Sequence, residues 1–312
     1  MTASSLQRRH LQALVAVGES GSVHSAAREL GMAQPALSRL LAEAERLLGG
    51  ARLFERSSQG SRPTAHGEEL LTRVRFVLRG LERLGEPAAN ARPPIRLGCI
   101  ARAMHTLMPG LLEQVYPADD KQGRSAGGAL RFHLTEGSST ALLDAVVKGH
   151  LDFAILRSAG DASLEAEVVI ERLYDERIVI ICAGNNSTLP DRPMALSRLA
   201  EQDWVLPERE TGSRASFDRF WSEQGLAPIR PLIEARSFET NLALVARTRF
   251  LSIAPESIAR RHAAYGAVRI LRARHALPSS PVTLAFHRLT QADPMLDRFR
   301  SLIHQAARRT RA

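Results

Sequence analysis

Between Ser22 and Gly49 the apolar residues recur at steps of three and four, with one interruption at Gly31-Met32-Ala33. Residues three and four apart share one face of an α-helix, so this spacing predicts two short helices and a turn. Pro35 falls in the first turn of the second helix, where the amide N–H has no helical partner to lose. In that helix Leu37, Leu40, Leu41, Ala44, Leu47 and Leu48 make one stripe, and Pro35, Ser38, Arg39, Ala42 and Arg46 lie opposite. The outer face is small at its start and carries arginine, which suits close approach to a major groove. An amphipathic helix with a merely solvated face would show the same wheel. Upstream, Leu11, Leu14 and Val15 predict a bracing helix ended by Gly18 and Gly21, with Ser22 capping the next one.

Beyond Gly49, Leu53 and Phe54 predict an apolar strand, followed by the polar turn SSQGSRP, which reads as a wing. Arg56 and Arg62 flank that turn, either as phosphate or minor-groove contacts or as solvated loop residues. Thr64 caps a long helix in which Leu70, Val74, Val77, Leu81 and Leu84 repeat as a heptad seam, with Arg73, Arg75, Arg79 and Arg83 expected outside it. A surface helix packed on its own domain would show the same stripe. Its neighbours look self-contained, so the seam is expected to pair two protomers.

Pro87 to Pro94 reads as a hinge. After it strands and helices alternate: IRLGCI, MHTLMPGLLEQVYP, RFHLTEG, STALLDAVVKG and LDFAIL, a pattern that predicts a parallel sheet covered on both faces. The segment PADDKQGRSAGGAL between them reads as a surface insertion. ERIVIICAG would lead out of a first lobe, and VTLAFHR with a terminal helix from Pro294 to Arg308 would return to it.

Composition narrows the class. The chain has 312 residues, enough for two or three domains, and 44% hydrophobic content is ordinary for a globular protein. No uncharged apolar run approaches a membrane span and MTASSLQRRH lacks the apolar core of a signal peptide, so a cytoplasmic location is expected. The formal charge of +9 and a pI near 10.7 favour an anionic partner. Lys121 and Lys148 are the only lysines, an arginine bias that a GC-rich coding sequence also explains, so placement matters more than abundance. Cys99 and Cys182 sit far apart in apolar runs and read as buried structural thiols.

The run from Ala26 to Arg56, AAxxLxxAQPALSRxLxxxExLLGxxxLFER, with its basic wing and PTAHGEELL, resembles the N-terminal domain of LysR-type transcriptional regulators. Ala26, Ala27, Leu30, Gln34, Pro35, Ala36, Ser38, Arg39, Glu45, Leu48, Gly49, Leu53, Phe54, Arg56, Thr64 and Gly67 fall at the family's positions, while Ala44 stands where the family most often has leucine. GHLDFAI, with Gly149, Leu151, Asp152 and Ala154, resembles the family's effector domain more weakly. The resemblance implies a winged helix-turn-helix over 1–63, a linker dimerisation helix over 64–86 and a hinge at 87–94. A two-lobed α/β effector domain like periplasmic binding proteins would follow, with lobe I at 95–184 and 278–312 and lobe II at 185–277. Gln34, Pro35, Ser38, Arg39, Arg56 and Arg62 would contact double-stranded promoter DNA. Dimers would join into tetramers, recognition helices entering successive major grooves about 34 Å apart. RNA polymerase is a further partner of the reading; no membrane, metal or cofactor is.

An effector would lie beyond the carboxyl ends of the strands. Arg102 and His105 follow the first strand, Ser138 and Ser139 the second, Thr211 and Ser213 a strand of the other lobe, and Phe238 and Glu239 would close the cleft. Ser138 reads equally as a helix cap. Arg102 and Ser138 match positions at which the family commonly contacts its inducer, and hydroxyls gathered around Arg102 suit a small organic anion, an aromatic or hydroxy acid. Three other readings compete with this one. A small-acid enzyme lacks any GxxxxGK, HExxH or GxSxG signature in the chain. A constitutive DNA-binding protein with a purely oligomerising C-terminal domain would answer no small molecule. A thiol sensor would need the cysteine pair that peroxide-sensing family members carry in the second lobe.

Overall fold

A computed structural model describes residues 6–57, 60–84, 94–117, 130–157, 167–209 and 211–310. The expected hinge, apart from Pro94, and the expected insertion, apart from its ends, lie outside the described residues.

Three helices, α1 (Arg8–Ser20), α2 (Val23–Glu29) and α3 (Gln34–Leu47), precede an antiparallel hairpin, β1 (Phe54–Ser57) and β2 (Gly60–Pro63). Leu14, Val17, Ala26, Leu37, Leu41, Ala44 and Leu53 share one core beneath them. Local chemistry sets the joints. Ser22 Oγ accepts the Ser25 N–H at the start of α2, and Ala33 precedes α3 with Pro35 in its first turn. Gly21, at φ 63°, ends α1, and its carbonyl accepts the Ser61 amide at 2.8 Å. A Cβ on Gly60 would stand 2.4 Å from that same carbonyl, so the wing docks this closely because a glycine is there. Glu45 Oε1 accepts the Leu53 N–H at 2.9 Å and ties the end of α3 to the wing.

Helix α4 (Ala65–Leu84) opens with Thr64 Oγ accepting the Gly67 N–H at 3.0 Å. Its packing corrects one expectation. Val74 of the heptad seam is buried in the N-terminal core with Leu71 and Leu78, and Leu70 packs against the same core. Only Val77 and Leu81, 52% and 42% exposed, stay open among the seam residues whose side chains are described. The helix must first cover its own domain, and the positions three and four apart do so. The arginine row lies off the seam, and within it Arg73 is exposed while Arg75 and Arg79 are buried against the domain that follows. Arg79 Nη1 and Arg83 Nη2 donate to Asp152 Oδ1 at 2.8 and 2.7 Å, and Arg83 Nη1 donates to Asp293 Oδ2 at 2.8 Å. Asp152 Oδ2 accepts the Arg96 N–H, and Arg75 donates to the Lys148 carbonyl at 2.9 Å. Phe76 lies 4.5 Å from the His287 ring.

The C-terminal domain is built on a seven-stranded sheet of order β10-β6-β11-β5-β3-β4, with β9 on β6. Its first core holds β3 (Ile95–Cys99), α5 (Ala101–Thr106), α6 (Met108–Val115), β4 (Phe132–Glu136), α7 (Ser139–Val147) and β5 (Phe153–Arg157). Here β3 pairs in parallel with both β4 and β5, as the alternation predicts. The long strand β6 (Val168–Ala183) passes from this core, through Leu173 and Tyr174, into a second, through Ile178 and Ile180. The division expected at 184 therefore falls earlier: Ile178 to Cys182 pack in the second lobe.

That lobe contains α8 (Leu196–Ala200), β7 (Val205–Leu206), α9 (Gly212–Glu223), β8 (Ile233–Glu234), α10 (Phe238–Ala246), β9 (Ser252–Pro255), α11 (Glu256–Ala264) and β10 (Val268–Leu271). Trp204, Phe217 and Trp221 stack at its centre. Strand β11 (Ser279–His287) returns antiparallel to β6 and β5, and α12 (Pro294–Thr310) closes the first core through Leu296, Phe299 and Ile303. Among the described residues no helix is long and apolar enough to cross a membrane.

Candidate functional site

Two regions carry the expected chemistry. On α3, Leu37 and Leu41 are buried while Gln34, Pro35 and Arg39 are exposed and Ser38 is half-buried, so the face expected to meet DNA points away from its own core. Arg62 is exposed on β2. Arg56 pairs with Ser61 through the hairpin backbone, and its side chain lies outside what the structure describes. A helix with a small, arginine-bearing face beside a two-stranded wing can lie in a major groove while the wing follows the flanking backbone.

The second region lies where the lobes meet. Arg102, on α5, is 3% exposed, and its Nε and Nη1 have no hydrogen-bond partner; Nη2 reaches Ser213 Oγ at 3.4 Å. Burial pulls its pKa down against the opposing pull of Glu176 and Tyr174. Ser213, also buried, sits in the first turn of α9. A guanidinium held this deep with unused donors is costly unless an anion joins it.

The other expected residues are disposed differently. Ser138 caps α7 by accepting the Ala141 N–H at 3.2 Å, and Thr211 caps α9 while its hydroxyl donates to the Glu208 carbonyl at 2.8 Å. Both hydroxyls are occupied in holding helix starts. Ser139 Oγ accepts the Arg157 N–H and so fixes the end of β5. The exposed His105 offers its carbonyl to Arg261. Phe238 is half-buried at the start of α10, and Glu239 is exposed, 3.5 Å from His262; no hydrogen bond or ion pair among the described residues ties either to Arg102. The sequence reading missed Arg157, Ser216 and Ser280. The strand LDFAIL stops one residue short of β5, and an arginine at the carboxyl end of a buried strand is the available signal.

An open depression of about 450 Å³ lies elsewhere on the first lobe, lined by Arg96, His133, Glu136 and His150 among others. It contains none of the buried, unpartnered polar atoms that mark the interlobe region. Among the described residues no group of three or more His, Cys, Asp or Glu is placed to hold a metal ion. Cys99 and Cys182 are buried free thiols, and burial pushes Cys99 up to about 12, which leaves it unreactive.

A winged helix-turn-helix is thus joined to a two-lobed domain with a buried arginine where the lobes meet, the architecture of a DNA-binding regulator with an effector-binding domain. Residues 8–68 match the model for bacterial regulatory helix-turn-helix proteins of the lysR family, and residues 88–308 match the LysR substrate binding domain. The chain belongs to the LysR family of transcriptional regulators. It is 28% identical over 259 residues to the HTH-type transcriptional regulator GbpR of Azospirillum brasilense, covering 81% of this chain and 73% of that protein. Among solved structures, ArgP from Mycobacterium tuberculosis matches with a TM-score of 0.72 at 18% identity, covering 96% of each chain. Full-length LysG from Corynebacterium glutamicum, solved with bound effector Arg, matches with a TM-score of 0.69 at 18% identity, covering 97% of this chain and 99% of that one.

Proposed function

We propose that this regulator responds to a small organic anion bound between the two lobes, and that Arg102 is its principal anchor. One observation carries the reading: Arg102 is 3% exposed and keeps two nitrogen atoms without a partner. Ser213 adds a hydroxyl, and LysG gives a precedent for an effector bound within this fold. Gln34, Pro35, Ser38, Arg39, Arg56 and Arg62 contact operator DNA in this proposal. Val77 and Leu81 pair the linker helices of two protomers, and two dimers join through their effector domains. The anion acts only through unequal affinity for two lobe arrangements, which shifts the angle between the DNA-binding pairs.

A thermal-shift screen of small carboxylic acids on the full chain identifies the effector, and operator binding is then titrated against it. Arg102→Ala is expected to abolish the response and to leave DNA affinity in its absence unchanged. An unaltered dose response in that variant removes Arg102 from the site.

A further inference from the structure

A second guanidinium shares the interlobe space. Arg157, the last residue of β5, donates from Nη1 to Ser213 Oγ at 3.1 Å and from Nη2 to Ser216 Oγ at 2.9 Å and to Ser280 Oγ. Ser213 Oγ is also the atom that Arg102 Nη2 approaches at 3.4 Å. One buried hydroxyl oxygen thus stands between two cations, in the position an oxygen of a bridging carboxylate would take.

Charge counting points the same way. Every acceptor that Arg102 and Arg157 reach with their side chains among the described residues is a neutral hydroxyl. Glu176 is the carboxylate whose charge acts on Arg102, but its Oε1 accepts the Ser257 N–H at 3.1 Å, at the start of α11. Among the described residues, two cations and one carboxylate leave a single positive charge over. Burial, with the charge of Arg102, pushes Arg157 down to about 10, so it remains protonated at neutral pH. The two cations come from the first lobe, whereas Ser213 and Ser216 come from the first turns of α9 in the second. A group bound to both sets draws the lobes together.

Resting on the proposed reading of this cleft as the effector site, we infer that the effector presents one carboxylate that bridges Arg102 and Arg157 against Ser213, and that Arg157 selects for a single negative charge. A neutral amide leaves that one positive charge uncompensated. A second carboxylate brings a charge that must be desolvated with no cation to meet it.

The test uses fragments small enough that no side group decides the result. Acetate, malonate and acetamide are titrated into the full-length protein at matched ionic strength, with the thermal midpoint and tryptophan fluorescence as readouts; Trp221 lies on α9 itself. Acetate is expected to give a saturable shift, acetamide none, and malonate no tighter binding than acetate. Arg157→Gln and Arg102→Gln are each expected to weaken acetate about tenfold or more, the scale of one lost charge-assisted bond. Arg157→Lys keeps the charge without the planar fork, and is expected to fall between wild type and Arg157→Gln. A urea midpoint for each variant checks that it folds. Loss of the acetate response in Arg102→Gln but not in Arg157→Gln overturns this inference and leaves the proposed effector site standing. Malonate binding about tenfold tighter than acetate overturns the single-charge claim. No saturable acetate response in the wild type, or one that both glutamine variants retain, overturns both readings.

Discussion

Asp152 is where the docking of α4 on the first lobe is most exposed to a single change. Its carboxylate is 1% exposed and accepts from three donors: Arg79 Nη1, Arg83 Nη2 and the Arg96 N–H. In Asp152→Ala, Arg83 keeps Asp293 as a partner at 2.8 Å. Arg79 does not: it is 5% exposed, and its Nε and Nη2 already lack partners. Leaving one buried cation unpaired costs about 3–5 kcal/mol. Because Arg83 stays compensated, the lower end, about 3 kcal/mol, is expected. Asp293→Ala removes a more exposed partner together with the cap that its Oδ1 gives the Met295 and Leu296 N–H groups at the start of α12, and is expected to cost about 1–3 kcal/mol. Urea unfolding followed by far-UV circular dichroism at neutral pH measures both. The decisive variant adds Arg79→Met to Asp152→Ala, which deletes the orphaned charge and is expected to restore about 2 kcal/mol. If the double variant is as unstable as Asp152→Ala, or if Asp152→Ala alone lies within about 0.5 kcal/mol of wild type, the ion cluster does not hold the helix.

Val77→Asp with Leu81→Asp puts charge on the open part of the linker seam, and is expected to shift the protein from tetramer to dimer in analytical ultracentrifugation without unfolding it; an unchanged sedimentation profile places the protomer contact elsewhere. Arg39→Ala is expected to cost about 1–3 kcal/mol on operator DNA and to relax base preference, whereas Arg62→Ala weakens all sequences alike and flattens the salt dependence. Gel shifts over a salt series separate the two, and equal losses on operator and random DNA for Arg39→Ala argue against base reading. Burial, opposed by Glu167, holds the His287 pKa below its ordinary value, so the unfolded chain takes up this proton first. Stability from this group is full above about pH 6.5 and falls as the pH drops below it. His150, lowered to about 4 by burial and by the charges of Arg75, Arg79 and Lys148, bends the curve the same way. The urea midpoint of His287→Leu should therefore fall less steeply on acidification than that of wild type; parallel curves would argue against the assignment.

The DNA-binding half was legible because its rules are local. Leu37 and Leu41 sit a helical turn apart, Ser22 and Thr64 cap the helices they precede, and Gly67 is required because a Cβ there would stand 2.1 Å from the Leu53 carbonyl. The partners of the arginine row on α4 are not legible, because nothing within the helix distinguishes a solvated arginine from one whose partner, Asp152 or Asp293, lies far along the chain. The same holds in the cleft. Arg102 was picked out as an unexpected charge in an apolar stretch, but the hydroxyls around Arg157 come from α9 and β11, and only the crossing strands bring them to β5. Ser138 and Thr211 were half-read: each is a hydroxyl at a helix start, and each spends it on the cap.

Helix α4 serves three masters around its circumference: Leu71, Val74 and Leu78 toward the N-terminal core, Arg75, Arg79 and Arg83 toward the first lobe, and Val77 and Leu81 toward the outside. A single inserted residue would turn everything after it by about 100° and break at least one of these registers. The length of this rod can thus change only in near-whole turns, such as seven residues at a time, and its phase is locked from both ends.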